Sequence, residues 1–203
     1  NPHDPSIYAA LSCLRCPQGL FQIEADTNYK VCRTISPKTL EELSAVVAIA
    51  RPGALEFLDD YAAYARTGNF SSVHEFFDDI LSYTGGIPLY QEQLMKMAVK
   101  VGFSLDESEQ LRRIIGKKKI DLMPAWKAKI EDKIKENNLD SKIGDVLWKV
   151  AEDSANYSFN KSHSISYAYL AAITVYLKFN HPKEFFLSLL KYSKYEPNSH
   201  EEI

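Results

Sequence analysis

Five cationic side chains lie close together in the middle of the sequence, although the 203-residue chain carries a net charge of −3. They fall within eight residues: Arg112, Arg113, Lys117, Lys118 and Lys119. An arginine offers a planar fork of donors and a lysine a mobile point charge, and both suit phosphate oxygens. A basic run is also typical of a helix end that complements the helix dipole, or of a solvated face. These residues alone therefore leave phosphate binding and an ordinary basic helix end as alternatives.

The residues before this basic run predict the helix that would position it. Ser104 suits the N-cap, and Asp106 and Glu107 occupy the first turn, where the helix dipole favours anions. Gly116 is predicted to end the helix in a left-handed conformation. The apolar positions recur at roughly helical spacing: Leu105, Leu111, Ile114 and Ile115.

A second polar stretch, residues 158–169, is rich in hydroxyl groups and also contains Asn160, Lys161 and His163. Such a cluster at a helix N-terminus suits an anion or a polar ligand, whereas a capping loop would use only some of these groups. The helix predicted after it, Ser164 to Phe179, is apolar nearly all round, and this pattern predicts a helix buried in the middle of the domain.

Three polar residues follow the turn at Gly85-Gly86, namely Gln91, Glu92 and Gln93. Their spacing favours a solvated helix face. Upstream of the helices, residues 1–35 are the least regular part of the chain. Leu20 to Glu24 alternates like a short strand, or forms a loop that buries its apolar residues.

The remaining pattern predicts an all-α protein of about nine helices, because no convincing pair of strands is present. Ser36-Pro37 predicts the start of the first regular helix, with serine as the N-cap and proline in the first turn. We therefore divide the chain into an irregular segment, residues 1–35, and a helical domain, residues 36–203.

Cysteine usage argues against a disulfide framework and indicates a reducing compartment, because the three residues Cys13, Cys16 and Cys32 form an odd number. A structural zinc site needs four ligands. His3 could join the three cysteines, but the spacing lacks a second ligand pair and disfavours zinc.

The sequence offers no convincing catalytic constellation of its own. No set of carboxylates is spaced to hold two metals, and no phosphate loop or dinucleotide fingerprint is present. Ser162-His163 lacks a visible third group to orient it, which disfavours a serine enzyme. No apolar run reaches the length of a membrane span, and no secretory signal is visible. From its first and last residues, we expect the chain to be a piece of something longer or a processed product.

Several motifs in order along the chain resemble one family, the alpha subunit of bacterial DNA polymerase III. The resemblance covers roughly residues 20 to 190, and it rests on these segments: Phe21-Gln22-Ile23-Glu24, Arg51-Pro52-Gly53-Ala54-Leu55, Gly86-Ile87-Pro88-Leu89-Tyr90-Gln91-Glu92-Gln93, Leu111-Arg112-Arg113-Ile114-Ile115-Gly116-Lys117-Lys118-Lys119, Phe159-Asn160-Lys161-Ser162-His163-Ser164 and His181-Pro182-Lys183-Glu184-Phe185. The chain departs from the family pattern at Ser158, where the family usually has glycine, and at Ala54, where it often has proline.

This resemblance implies the fingers domain of a C-family replicative polymerase, with residues 1–35 next to the palm. It implies a part of a DNA-directed DNA polymerase that is inactive alone and cytoplasmic, that binds primer-template DNA and deoxynucleoside triphosphates, and that contacts the remainder of the chain and replisome subunits. Mg²⁺ would be held by palm aspartates outside this sequence. The residues implied for the triphosphate and the nascent pair are Arg112, Arg113, Lys117, Lys118, Lys161, Ser162 and His163, with Arg51 and Gln91 as supports.

One alternative from a different class remains open, a stand-alone helical module that binds DNA or protein without catalysis. A specific and salt-sensitive affinity of the chain itself would distinguish it. The negative net charge counts against it, because DNA-binding domains are more often basic.

Overall fold

The computed structural model describes residues 1–117 and 119–193, and these residues form an all-α protein, which confirms the predicted fold class. Eleven α-helices lie within them, two more than the sequence indicated, and short 3-10 turns join several of them. The helices are α1 Pro5–Ser12, α2 Asp26–Ile35, α3 Leu40–Ile49, α4 Leu58–Thr67, α5 Asp78–Leu81, α6 Gln91–Val101, α7 Leu105–Gly116, α8 Met123–Glu136, α9 Ser141–Tyr157, α10 Lys161–Asn180 and α11 Pro182–Ser193.

The chain forms two compact units. The first combines residues 1–50 with the described residues from Ser162 to Ser193, and the second is Arg51–Lys161. The boundary between the units thus falls within the first turn of α10. The division proposed from the sequence, after residue 35, stays a prediction.

Residues 1–35 carry two helices where the sequence predicted an irregular segment. The side chain of Asp4 accepts a hydrogen bond from the Ser6 N–H and caps α1. The second helix, α2, ends at Ile35 and is followed by Ser36, whose φ of 51° is left-handed. The predicted helix start at Ser36-Pro37 is therefore wrong by a few residues, because Thr39 caps α3 instead and accepts from the Glu42 N–H at 3.2 Å.

Residues 20–24 form a turn, which confirms the loop that was the alternative to a strand. Leu20 and Ile23 are fully buried, with 0% of their surface exposed. The N–H of Phe21 donates to Oγ1 of Thr174 at 3.1 Å, and the Phe21 ring lies 5.1 Å from that of Tyr167. The apolar residues of this turn therefore pack inside the first unit, which contains α10 beyond its first residue.

One face of α10 is exposed, contrary to the prediction of a helix buried all round. The small residues Ala168, Ala171 and Ala172 are buried. The large apolar residues on the other face are between 39% and 46% exposed: Tyr169, Leu170, Ile173, Tyr176 and Leu177. Small side chains thus supply the packed face, and apolar composition alone did not reveal which face would pack. None of the described helices is long and apolar enough to cross a membrane.

The core of the second unit is built around α6, which packs against α7, α8 and α9. Apolar residues repeat every four positions along α8 and form one buried stripe, since Trp126, Ile130 and Ile134 are at most 5% exposed. The ring of Phe103, in the loop between α6 and α7, lies 5.7 Å from that of Trp126. These contacts hold α7 and the first turn of α6 in one packed body.

The helix α7 begins as the sequence predicts but ends differently. Ser104 is the N-cap as predicted, and it forms a capping box with Glu107. Gly116 is the last helical residue and does not have the predicted positive φ, and Lys117 follows at φ −93°. The glycine instead lies beside another side chain, because a Cβ at Gly116 would be 3.5 Å from Nε2 of Gln91.

Candidate functional site

The first turn of α6 is fixed by a buried glutamine, Gln93, with 0% of its surface exposed. Its Oε1 accepts a hydrogen bond from the Tyr90 N–H at 2.9 Å. Its Nε2 donates to Oγ1 of Thr84 at 2.7 Å and to the carbonyl oxygen of Ile80 at 3.3 Å. The prediction of a solvated face for Gln91, Glu92 and Gln93 is wrong here, because both ends of this amide are used inside the protein.

Gln91 joins the start of α6 to the cationic helix α7. Its Oε1 accepts a hydrogen bond from Nη1 of Arg112 at 3.2 Å. The rest of the Arg112 fork contacts Glu109, one turn earlier on α7, with Nε to Oε2 at 2.7 Å and Nη2 to Oε1 at 2.6 Å. Two different groups therefore orient this guanidinium, whose side chain is 27% exposed.

Glu109 bonds both arginines of the basic run. Nε of Arg113 donates to Oε1 of Glu109 at 2.9 Å, in addition to the two bonds from Arg112. These hydrogen bonds lower the pKa of Glu109 from its ordinary 4.5 to about 2, and they raise the pKa of Arg112. The Arg113 side chain remains 66% exposed, so its guanidinium faces solvent more than that of Arg112.

The carboxylate of Glu92 contacts the last two residues of the second unit. Its Oε1 accepts from Nδ2 of Asn160 at 2.9 Å, and its Oε2 accepts from the backbone N–H of Lys161 at 2.9 Å. Next to it, the Gln91 N–H donates to the Phe159 carbonyl at 2.9 Å. The segment that leads into α10 is thus tied to the first residues of α6 by backbone and side chain together.

The ammonium group of Lys161 lies against aromatic rings. Its Nζ is 4.4 Å from the ring centroid of Tyr83 and 5.6 Å from that of Tyr90, both within cation–π range. Tyr90 is 1% exposed and immediately precedes α6. The ammonium group of Lys161 therefore packs on one side against a rigid part of the core.

Arg51 stacks on the segment before α10. Its guanidinium carbon lies 3.9 Å from the ring centroid of Phe159. The loop must approach closely at Gly53, where a Cβ would be 2.5 Å from the carbonyl oxygen of Asn156. The Arg51-Pro52-Gly53 segment therefore packs against the end of α9 and the residues that follow it.

The structure divides the site residues expected from the sequence between the two units. Of the described ones, six lie in the second unit: Arg51, Gln91, Arg112, Arg113, Lys117 and Lys161. Lys117 is exposed and caps α7, and Lys118 lies outside the described residues. Ser162 and His163 belong to the first unit, where both are exposed and the His163 ring is 4.0 Å from that of Tyr167.

Sequence reasoning missed three members of this site, Glu92, Glu109 and Asn160. Glu109 could have been found, because acids three and four residues before Arg112 and Arg113 commonly pair with them on a helix. The sequence placed Asn160 in the polar stretch 158–169 and Glu92 beside Gln91, but the contact between them has no local signal, since they are 68 residues apart.

An anion is the ligand that this arrangement suits, because α7 and Lys161 bring oriented donors and positive charge to the second unit. The sequence suggested that the N-terminus of α10 could bind an anion. The first backbone N–H of this helix, that of Lys161, instead donates to Glu92. Among the residues that the structure describes, no group of three or more His, Cys, Asp or Glu could hold a metal ion. The described side chains of this site supply hydrogen-bond donors and positive charge.

Comparison with known proteins gives the same family that the motifs resembled. Residues 1–138 match the model of the bacterial DNA polymerase III alpha subunit finger domain. DNA polymerase III subunit alpha from Thermus aquaticus is 34% identical over 203 residues, covering 95% of this chain. The corresponding subunits of Aquifex aeolicus and Thermotoga maritima are 36% and 35% identical over 90% and 86% of this chain.

Because the finger-domain model matches well over half of the residues, the chain belongs to the family of bacterial DNA polymerase III alpha subunits, in their fingers region. It spans only a small part of these relatives, 16% of the Thermus aquaticus and Aquifex aeolicus proteins and 20% of the Thermotoga maritima protein.

Proposed function

We propose that this chain is the nucleotide-binding part of a DNA-directed DNA polymerase. In the full-length protein, the cations of the second unit bind the triphosphate of the incoming deoxynucleotide, whatever its base. These cations are Arg112, Arg113, Lys117 and Lys161, with Arg51 and Gln91 as supports. Lys118, Ser162 and His163 remain predicted nucleotide-binding residues on the resemblance alone.

The observation that carries this proposal is the orientation of Arg112. Its guanidinium is held by Glu109 on one edge and by Gln91 on another, and its side chain is still 27% exposed. The Glu109 pair is common on helices, but the bond to Gln91 comes from another helix, and a cation that only complements the helix dipole needs no such bond. Phosphoryl transfer depends mainly on positioning and charge stabilisation, and an oriented guanidinium provides both at a phosphate.

The other parts of the reaction are proposed to lie outside this chain. Its described residues do not fit a metal site, so we derive no catalytic step from them. We propose that Mg²⁺ is held by the palm of the full-length protein and that the chain works in the cytoplasm. Primer-template DNA, other regions of the polymerase and other replisome subunits are its proposed partners.

Arg112→Ala in the full-length polymerase tests this function. A lost hydrogen bond to a charged group costs about 1.5–3 kcal/mol, and about 1.4 kcal/mol corresponds to tenfold in affinity. We expect the KM for each of the four deoxynucleotides to rise by about tenfold or more, and by similar factors, because a phosphate contact carries no base information. Steady-state primer extension on four templates measures this.

Two further variants make the result decisive. Arg66→Ala removes an exposed arginine from the last turn of α4 and should leave all four KM values unchanged. Arg112→Lys keeps the charge without the planar fork, and should fall between the wild type and Arg112→Ala. A defect confined to one base, or no rise in KM with Arg112→Ala, would overturn the proposed role.

A further inference from the structure

Adjacent side chains at the start of α6 contact two separate cationic segments. Gln91 accepts a hydrogen bond from Arg112 of α7, and Glu92 accepts two from the Asn160–Lys161 segment. The start of α6 is therefore the element that relates the two cations within the second unit.

Both carboxylate oxygens of Glu92 have a specific partner. One oxygen accepts from the side-chain amide of Asn160, and the other accepts from the backbone N–H of Lys161, the first residue of α10. Both oxygens of this carboxylate are thus hydrogen-bonded within the second unit.

The contact to Lys161 acts on its backbone, while its ammonium packs elsewhere. The Nζ lies over the rings of Tyr83 and Tyr90, at 4.4 and 5.6 Å from their centroids. The backbone of Lys161 is held by Glu92, and its side chain is directed by two tyrosines. A long, flexible lysine side chain loses less freedom on binding when both its ends are already restricted.

We propose that Glu92 is a positioning residue for Lys161: it fixes the lysine backbone so that the ammonium is presented to the phosphates of the nucleotide that Arg112 also binds. The proposal rests on the proposed function, because it assumes that Lys161 contacts the triphosphate. Glu92 itself does not contact the substrate. Its effect on nucleotide binding therefore depends on the presence of the Lys161 side chain.

The test is a double-mutant cycle in the full-length polymerase with Glu92→Gln and Lys161→Ala. We expect Glu92→Gln alone to raise the KM for all four deoxynucleotides by about five- to tenfold, because its amide can accept one of the two bonds but not both. In the Lys161→Ala background the same change should raise KM less than twofold, since the group that it positions is gone. A purely structural role for Glu92 would give the same factor in both backgrounds.

A reciprocal exchange provides the rescue. In Glu92→Gln with Asn160→Asp, the amide introduced at position 92 can donate to the carboxylate introduced at position 160, which restores the side-chain bond with its polarity reversed. We expect the double variant to recover most of the wild-type KM. Glu152→Gln, an exposed glutamate on α9, is the matched control and should have no effect.

The outcomes separate this inference from the proposed function. If Lys161→Ala and Arg112→Ala raise KM but Glu92→Gln does not, the positioning role is wrong and the nucleotide site stands. If neither Lys161→Ala nor Arg112→Ala changes KM, the proposed function fails. Additive effects in the cycle, or no recovery in the exchanged pair, would also overturn the positioning role.

Discussion

The Oε1 atom of Gln91 accepts a hydrogen bond from Nη1 of Arg112, 21 residues later, at 3.2 Å. The same amide lies beside the end of α7, since a Cβ at Gly116 would be 3.5 Å from its Nε2. The first residue of α6 is thus held near the last turn of α7. Gln91 thereby restricts the guanidinium of Arg112 on the edge that Glu109 does not contact.

Gln91→Ala should weaken nucleotide use without abolishing it. Arg112 keeps its two bonds to Glu109, so its charge and part of its orientation remain. Loss of one hydrogen bond from a charged group that is partly exposed should cost about 1 kcal/mol, or about fivefold in the KM for every deoxynucleotide. Steady-state primer extension with the full-length enzyme measures the change.

Gln110→Ala is the matched control for this prediction, because Gln110 is an exposed glutamine on α7 next to Glu109. It should leave KM unaltered. If Gln91→Ala raised KM as much as Arg112→Ala, Glu109 alone would not orient the guanidinium for nucleotide binding. This result would contradict the partial role assigned to Gln91.

Local signals predicted much of this structure, and distant contacts account for what they missed. The N-cap at Ser104 and the apolar stripe of α8 depend on residues within one or two turns, and both are as the sequence indicates. Glu92 and Gln93 read as a solvated face because their partners are remote in the chain or lie in a turn. Tertiary packing determines such contacts, and the helical spacing of residues in the sequence does not show them.

The contribution of Glu109 to stability should depend on pH, because its hydrogen bonds shift its pKa. Hydrogen bonds from Arg112 and Arg113 lower this pKa from 4.5 to about 2 in the folded protein. A group with a lowered folded pKa stabilises the protein fully above its unfolded pKa, and this contribution is lost as the pH falls through the folded value. Any stability difference between the wild type and Glu109→Gln should therefore be constant above about pH 6 and shrink between about pH 4.5 and 2.

Urea unfolding of the 203-residue chain, followed by the fluorescence of Trp126 and Trp148 in the second unit, measures this difference. Glu131→Gln, which changes an exposed glutamate on α8, provides the comparison. A difference for Glu109→Gln that grew as the pH fell would contradict the direction of its pKa shift.

Ser104→Ala should destabilise α7 at its first turn. The hydroxyl oxygen of Ser104 accepts from the Glu107 N–H at 3.2 Å, and the Glu107 carboxylate accepts from the Ser104 N–H at 2.8 Å. Replacing an N-cap serine by alanine costs about 1 kcal/mol. Urea unfolding should show this loss, whereas Ser141→Ala, in the first turn of α9, should change the free energy of unfolding by less than about 0.5 kcal/mol.

Alanine substitutions at Gly53 and Gly68 test two different reasons for a glycine, a steric clash at Gly53 and a left-handed backbone at Gly68. A Cβ at Gly53 would lie 2.5 Å from the backbone oxygen of Asn156, so Gly53→Ala must move one of the two segments. We expect it to cost about 2–3 kcal/mol in the free energy of unfolding, as overpacked sites do. At Gly68 nothing lies within 4 Å, and only its φ of +73° opposes alanine, with an expected cost of about 1 kcal/mol. Equal losses would mean that the loop at Gly53 relaxes freely.

Gln93 offers the sharpest test of the buried contacts that support the site, because its amide both accepts and donates. Gln93→Ala leaves the Tyr90 N–H and the carbonyl of Ile80 without this partner, and should cost about 2–4 kcal/mol through unsatisfied groups and lost packing. Gln93→Glu keeps an acceptor for Tyr90 but directs a second oxygen at the Ile80 carbonyl, so its ionised form should be at least as unstable as Gln93→Ala.

Protonation of the glutamate in Gln93→Glu restores a hydrogen-bond donor at position 93. The pH dependence of stability therefore distinguishes the loss of this donor from general damage to α6. Burial disfavours the ionised carboxylate and raises its folded pKa, and a raised pKa gives stability that is present below the unfolded pKa and lost as the pH rises through the folded one. The stability of Gln93→Glu relative to the wild type should therefore improve as the pH falls from about 7 to 5, because the protonated acid can again donate. Gln93→Ala should show no such recovery over the same range, since alanine cannot titrate, and equal pH profiles for the two variants would mean that the donor at this position is unimportant.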